Sequence, residues 1–400
     1  MDRASYICSV SRHTLPLRVF FFASFAALGA YSPFFPRWLV ARGIEGAAMG
    51  AVLAMVPAMG IVGPPLAGFV ADALGLRSAL LRVACLGSFL AVAFLAAAGL
   101  AHHRLGFVTV LAAVTVFAAF RAPMLLMADV VAVEGERCAG TSYGRTRLWG
   151  SVGFLVASVG VGRCLDPEGP AALPLVMAVP LLLALLAAFA VPQRSLAPRA
   201  PSPRELRTLL ASDDFPLLLA LAFGAELAIS SYDLCFSLYL ADRGASSALI
   251  GFAWGLGVFV EILLMMGAGR LLARFRPPSL IAFAIVGVAL RCALLAVLHA
   301  LPALVAVQLL HSPSVCLLWV AALSHVKERV SPLVFAKAQG LFSAAVGAGS
   351  VAGMLLWGAV YRRAGGSVTF GLAALVALLV ALLAVRWMGH VRRAPRIGEA

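Results

Sequence analysis

Apolar runs long enough to cross a bilayer recur about twelve times along this chain, and they constrain its fold more than any other feature. A helical span needs roughly 20 apolar residues to cross the hydrocarbon core. The runs fall near 16–40, 46–71, 78–100, 105–131, 146–165, 171–191, 215–240, 247–272, 278–299, 302–325, 334–361 and 367–389. The prediction is an all-α polytopic membrane protein with twelve transmembrane helices. Composition agrees: 62% of the residues are hydrophobic and 12% charged, with a mean hydropathy of +1.01. A soluble domain is nearer half apolar and a quarter charged.

The longest interruption, Pro192 to Asp214, is rich in Pro, Arg and Ser and separates six spans from six. It predicts an N-terminal six-helix half (1–191), a cytoplasmic linker (192–214) and a C-terminal six-helix half (215–400). The net charge of +14 would suggest nucleic acid in a soluble chain. Here the basic residues lie in the short connections, where the positive-inside rule accounts for them. With both termini in the cytoplasm, twenty-two of the 31 Lys and Arg residues fall on the inner side, seven on the outer side, and Arg121 and Arg291 inside spans. Arg362 and Arg363 run against the bias. No nucleic acid is expected as a partner, and the lipid bilayer is. The seven cysteines (Cys8, Cys85, Cys138, Cys164, Cys235, Cys292 and Cys316) form no C-x-x-C pair and read as small core residues. No cleavable signal peptide is evident, since the first apolar run is too long and leads on to Pro33 and Pro36. His102 and His103 have no third ligand nearby in sequence, so no metal is expected. No Walker sequence, H-E-x-x-H motif or nucleophile elbow occurs, so the chain does not read as an enzyme.

The two halves are related. With Trp38 aligned on Tyr239, Leu39 meets Leu240, Arg42 meets Arg243, Gly43 meets Gly244, Gly50 meets Gly251 and Gly68 meets Gly269, all at an offset of 201. A weaker match at an offset of 196 sets Gly144 on Gly340 and Gly153 on Gly349. Pseudo-symmetric repeats of this kind build transporter folds whose substrate sites lie near the midplane. Small residues crowd several spans, as in GLFSAAVGAGSVAGMLLWG of the eleventh. They suit tight helix packing.

Ionisable residues inside spans cost at least about 2.5–3.5 kcal/mol each, so each one needs a reason. Asp129 closes the fourth span, and Arg145 and Arg147 open the fifth in YGRTRLWGSVGF. Asp129 either pairs with Arg147, offsetting both costs, or reaches the interface. Arg145 reads as a residue that snorkels to the cytoplasmic surface. Arg121 sits two turns above Asp129, beside Pro123. It either takes a substrate carboxylate bidentately or holds backbone groups freed by the proline. In the second half Glu226 and Asp233 lie seven residues apart on one face of the seventh span. Glu261, Arg291 and His311 sit inside the next three spans. They form either a proton-exchanging group or static pairs that orient helices.

Three stretches together resemble the major facilitator superfamily. GFVADALGLRS between the second and third spans resembles its cytoplasmic loop motif, with Gly68, Asp72, Gly75 and Arg77 matching and Ala73 and Leu76 departing from it. The first span, FFFASFAALGAYSPFFPRWL, and the run YGRTRLWGSVGF resemble proton-coupled symporters of the lactose permease and phenylpropionate permease-like groups. The WGSVG wording and the spacing from Pro123 to Asp129 lean toward the second group. The resemblance puts Arg147 on a sugar-contacting arginine and Phe154 on a ring-stacking tryptophan. Phenylalanine there loses the indole donor, which suits a flatter, more apolar ligand than a galactoside.

The resemblance also matches Glu261, Arg291 and His311 to a proton-coupling set. It departs where Ser314 replaces the expected glutamate, which leaves Glu226, Asp233 or Glu261 as carrier.

The expectation is a secondary transporter in a bacterial inner (plasma) membrane. It works as a monomer, needs no cofactor beyond the proton gradient, and imports a small organic solute, an aromatic or other organic acid being favoured. Substrate contacts are expected from Arg147, Asp129, Phe154 and Arg121, with Tyr31 and Trp149 as lesser candidates. The rivals are a sugar, oligosaccharide or nucleoside proton symporter, an exporter of the same fold, and a polytopic enzyme or sensor.

Overall fold

A computed structural model describes residues 14–74, 77–100, 105–139, 143–165, 171–191, 214–330 and 332–393. The described residues contain α-helices and one 3₁₀ segment but no strand. The helices are α1 (Thr14–Val40), α2 (Gly46–Leu74), α3 (Arg77–Leu100), α4 (Phe107–Ala139), α5 (Tyr143–Cys164), α6 (Leu173–Phe189), α7 (Phe215–Ala241), α8 (Ser247–Arg274) and α9 (Pro277–Val297). The broken helix α10 follows (Leu301–Arg329). The last helical stretch, Pro332–Arg393, is interrupted at Gly365, whose φ is 74° and ψ 177°. This splits it into α11 (332–364) and α12 (366–393). Twelve helical segments result among the described residues, in agreement with the apolar runs. The largest boundary difference is at α4, which runs on to Ala139. Among the described residues, nine helices meet the length and hydropathy of a bilayer span. The continuous last stretch counts once among them, α6 is short, and α5 carries Arg145 and Arg147 among many Gly and Ser residues.

The chain divides into two compact units. The first comprises α1–α6 together with Ala245–Gly255, the opening of α8; the second comprises α7, the rest of α8 and α9–α12. The linker, 192–213, lies outside the described residues, as do residues 101–104 with His102 and His103.

Within the first unit α1 packs on α5 and α6, α4 on α2 and α3, and α3 on α6. Glycine permits the closest of these approaches. A Cβ on Gly29 would sit 2.5 Å from the Phe154 carbonyl oxygen, and one on Gly153 would overlap the Phe22 carbonyl. In lipid, apolar burial does not drive helices together, so such backbone contact supplies the packing. We expect Gly153→Leu to prevent recovery of monodisperse protein, because overpacking at a backbone contact costs at least about 1–3 kcal/mol. Gly60→Leu, where nothing lies within 4 Å of an added Cβ, leaves yield and melting temperature unchanged in the same measurement. A buried cluster with Phe20, Phe21, Leu81, Cys85, Met124, Met127 and Leu185 ties α1, α3, α4 and α6 together. Arg82 fastens the end of α6 by donating to the carbonyls of Ala188, Phe189 and Val191, which helix termini otherwise leave unpaired.

In the second unit α7 and α9 both pack against the α11–α12 stretch. Asp214 at the start of α7 pairs with Arg329 at the end of α10. Outward apolar side chains such as Phe69, Val108 and Met266 are 73–77% exposed. They are the surface a bilayer would cover.

The repeat reaches further than the sequence match suggests. In α1 the Tyr31 ring stacks on Phe35 at 4.6 Å, Phe35 stacks on Trp38 at 5.1 Å, and the Arg42 guanidinium lies 3.7 Å over Trp38. In α7, 201 residues on, Tyr232 stacks on Phe236 at 4.6 Å and Arg243 lies 3.5 Å over Tyr239. Each column ends in a glycine with positive φ, 73° at Gly43 and 79° at Gly244. In the first, Ile44 N–H donates to the Leu39 carbonyl and Gly43 N–H to that of Val40. This is the Schellman arrangement, which needs a left-handed residue after the helix.

Candidate functional site

Two polar clusters stand inside otherwise apolar helices, one in each unit. In the first unit α4 brings Asp129 down to the start of α5. The Tyr143 hydroxyl donates to an Asp129 carboxylate oxygen at 3.0 Å, and Arg147 Nε lies 4.0 Å from the same oxygen. The Arg147 guanidinium also rests 4.0 Å over the Phe25 ring and 5.6 Å from that of Phe21. Asp129 and Arg147 are therefore together, as the cost of leaving either charge alone requires. Tyr143 was not singled out from the sequence, although it is the first residue of the run YGRTRLWGSVGF.

Arg121 lies about 12 Å above Asp129 along α4, at the helical rise of 1.5 Å per residue. It interacts electrostatically with the Tyr31 hydroxyl and with Arg147, and it has no ion-pair or hydrogen-bond partner among the described residues. The Tyr31 ring faces α4 through Phe117, centroids 6.1 Å apart. Its hydroxyl is buried and makes no hydrogen bond to any described residue. Phe117 and Arg121 are four residues apart and so share one face of α4.

Phe154 is 8% exposed, and its ring lies 6.4 Å from that of Trp254, with 39° between their planes. Trp149 is 44% exposed beside Leu148, on the face it shares with Val156. Two residues along a helix turn a side chain through about 200°, so Trp149 does not share Arg147's face.

In the second unit Arg291 is 3% exposed. Its guanidinium donates to the Gln308 side-chain oxygen at 2.8 Å and lies 3.8 Å over the Tyr232 ring. Gln308 in turn donates to the Leu304 carbonyl. Asp233 and His311 both interact electrostatically with Arg291. The His311 ring is 5.5 Å from Tyr232. Glu226 interacts with Asp233 and with no cation among the described residues. Glu261 of α8 acts on Cys316 of α10.

Around His311 the helix breaks into Leu301–Ala306, a 3₁₀ turn Val307–Leu310, His311–Ser314 and Cys316–Arg329. Pro313 lacks an N–H, and Ser314 Oγ donates back to the Leu310 and His311 carbonyls. The sequence reading missed Tyr232 and Gln308. Tyr232 follows from extending the 201-residue offset back from Trp38 to Tyr31. Gln308 follows from its place three residues before His311.

The loop motif is only partly visible. Gly68 lies on α2, whereas Gly75 and the side chains of Asp72 and Arg77 fall outside the described residues. Cys85, Cys235, Cys292 and Cys316 are buried free thiols, whereas Cys164 is exposed at the end of α5 and is not the core residue expected; Cys8 and the side chain of Cys138 are not described. No group of three or more His, Cys, Asp or Glu residues capable of holding a metal occurs among the described residues.

Twelve helical segments among the described residues, in two related sets of six with a polar cluster inside each, define a transporter architecture. The chain belongs to the MFS_1 like family, whose model matches residues 14–372. It is 28% identical to the probable 3-phenylpropionic acid transporter of Escherichia coli K12 over 92% of this chain and 96% of that one. It is 33% identical to the maltose permease of Geobacillus stearothermophilus over 64% of each. Its fold matches the crystal structure of a mutant of the nucleoside transporter NupG with a TM-score of 0.82 at 17% identity, covering 94% of this chain and 99% of that one. The protein is a multi-pass membrane transporter of the major facilitator superfamily.

Proposed function

We propose that this transporter imports an organic anion, favouring an aromatic carboxylic acid, by proton symport through a bacterial inner membrane, as a monomer with both termini in the cytoplasm. The observation that carries the reading is the charge balance of the first unit. Asp129 is engaged by Arg147 and Tyr143, so among the described residues Arg121 is left as a mid-span cation beside a Tyr31 hydroxyl that has no hydrogen-bond partner there. A monoanionic carboxylate fits that pair. The guanidinium offers a fork to its two oxygens, the phenol offers a third donor, and the cost of a buried unpaired charge is removed. Phe117 shares α4 with Arg121 and Phe154 lies on α5, and aromatic faces of this kind suit a planar apolar body. The likeness to a probable 3-phenylpropionic acid transporter over nearly the whole chain supports the same substrate class.

The second unit supplies the proton side of the exchange. Glu226 interacts with Asp233, and of the two only Asp233 interacts with the buried cation, Arg291. Both carboxylates ionised beside one guanidinium leave one negative charge in the span, and one bound proton removes it. Asp233 is the member beside Arg291, which leaves Glu226 to exchange the proton. Arg291, held by Gln308 and Tyr232, fixes the charge that Asp233 sees. His311 borders the group, and Glu261 is the alternative carrier.

A thermal-shift titration of the purified protein tests the substrate class. At one hundred times Kd a ligand adds about 2.7 kcal/mol to stability, so 3-phenylpropionate is expected to raise the melting temperature by several degrees. Maltose, the ligand class named for the other relative, and a nucleoside are expected to leave it unchanged. A shift with maltose and none with the acid would replace the anion reading with a sugar symporter.

A further inference from the structure

The opening of α8 is fixed to α5 by backbone contact. A Cβ on Gly251 would overlap the Ser158 carbonyl, and one on Gly162 would lie 2.6 Å from the Ser247 carbonyl oxygen. Arg37 of α1 adds a hydrogen bond to Ser247 Oγ at 2.9 Å. Ser247, Gly251 and Trp254 are spaced by four and three residues, and so are Gly162, Ser158 and Leu155 on α5. Each set therefore makes one helical stripe, and the two run antiparallel. Small residues fill the stripe toward the outer ends of both helices. At its inner end they give way to two large rings, Phe154 and Trp254, 8% and 6% exposed. The contact holds Trp254 at a defined height, one ring away from the α5 face that lies against Gly29 of α1.

We propose that Trp254 is a specificity-determining residue, which with Phe154 forms an aromatic subsite for the planar ring of the substrate. This rests on the organic-anion reading above. The ring centroids are 6.4 Å apart and tilted by 39°. Two stacked contacts on either side of an inserted ring need about 7 Å, twice the optimal carbon–carbon separation of about 3.5 Å. A small rotation of either ring about its χ angles therefore admits a flat ring, whereas a puckered saturated ring of equal carbon number is too thick. The tilted pair that now closes the space is itself a favourable aromatic geometry, so the subsite shuts on itself when no ring is present.

The test compares 3-phenylpropionate with 3-cyclohexylpropionate, which share the carboxylate and differ in the ring face, by calorimetric titration of purified protein. An aromatic pair contributes a factor of about 2 to 10, so the unmodified protein is expected to prefer the phenyl acid by at least that factor. Trp254→Leu is expected to bring the ratio to about one, with the cyclohexyl acid's affinity changed less than the phenyl acid's. Trp254→Phe keeps a smaller ring face and gives an intermediate ratio, and it serves if the leucine variant does not fold. An unaltered ratio in whichever variant folds overturns the role of Trp254. Equal affinity for both acids in the unmodified protein also overturns it while leaving the organic-anion reading intact. If the unmodified protein binds neither acid, the organic-anion reading falls and this inference falls with it.

Discussion

Arg121→Leu is expected to abolish uptake and substrate binding while leaving the protein at least as stable as before. The two halves of that expectation have one cause. An arginine in mid-span with no carboxylate partner costs at least about 2.5–3.5 kcal/mol, and among the described residues Arg121 has none. Removing it relieves that cost, so the melting temperature in the absence of ligand holds or rises. Binding loses two charge-assisted hydrogen bonds worth about 1.5–3 kcal/mol each, or at least about a hundredfold in affinity. Arg121→Lys keeps the charge and loses the fork, and its affinity falls between the two. Titration and thermal melting of the three proteins check this. An Arg121→Leu protein that binds the acid normally removes Arg121 from the site, and one that melts far below the parent assigns Arg121 to holding the backbone beside Pro123.

The second large effect concerns the driving force. Glu226→Gln is expected to reduce the accumulation ratio of substrate across an energised membrane to about one, while exchange of external for internal substrate continues. Glutamine keeps the shape and polarity of the site but cannot take up or release the proton, so the gradient no longer does work on the substrate. Asp233 and Arg291 then balance each other permanently. Proteoliposomes with an imposed pH difference measure accumulation, and counterflow measures exchange. Proton-driven accumulation unaltered in Glu226→Gln and lost in Glu261→Gln would assign the carrier to Glu261, beside Cys316. Accumulation unaltered in both would remove the proton from the mechanism.

These expectations depend on placements of very different legibility. The number of helices and nearly all their ends follow from the sequence, because the bilayer imposes a length on each apolar run and insertion energies add residue by residue. The repeat was legible from Arg42–Gly43 and Arg243–Gly244, since a helix that ends in a Schellman turn needs glycine at one position. The pairing of Asp129 with Arg147 could be anticipated, because two charges at the same depth in a span have little alternative.

Trp149 was legible as a residue near Arg147 in sequence, and its exposed face shows how little that says about direction. Gln308 and Tyr232 could have been found, because an intramembrane glutamine is costly and the offset of 201 leads from Tyr31 to Tyr232. Trp254 could not. It stands in an unbroken apolar run, and nothing near it in the sequence points to Phe154.

By itself, then, the sequence determined what crosses the membrane, how many times, and which charges are carried inside. Helices that are apolar on every side carry no periodic stripe to say which face turns inward. Rotation about each helix axis is therefore decided by contacts between distant segments, where Gly29 and Gly153 let α5 meet α1 and Gly251 and Gly162 let α8 meet α5. That rotation leaves Arg121 beside Tyr31 with no carboxylate partner among the described residues, sets Asp233 beside Arg291, and brings Trp254 against Phe154.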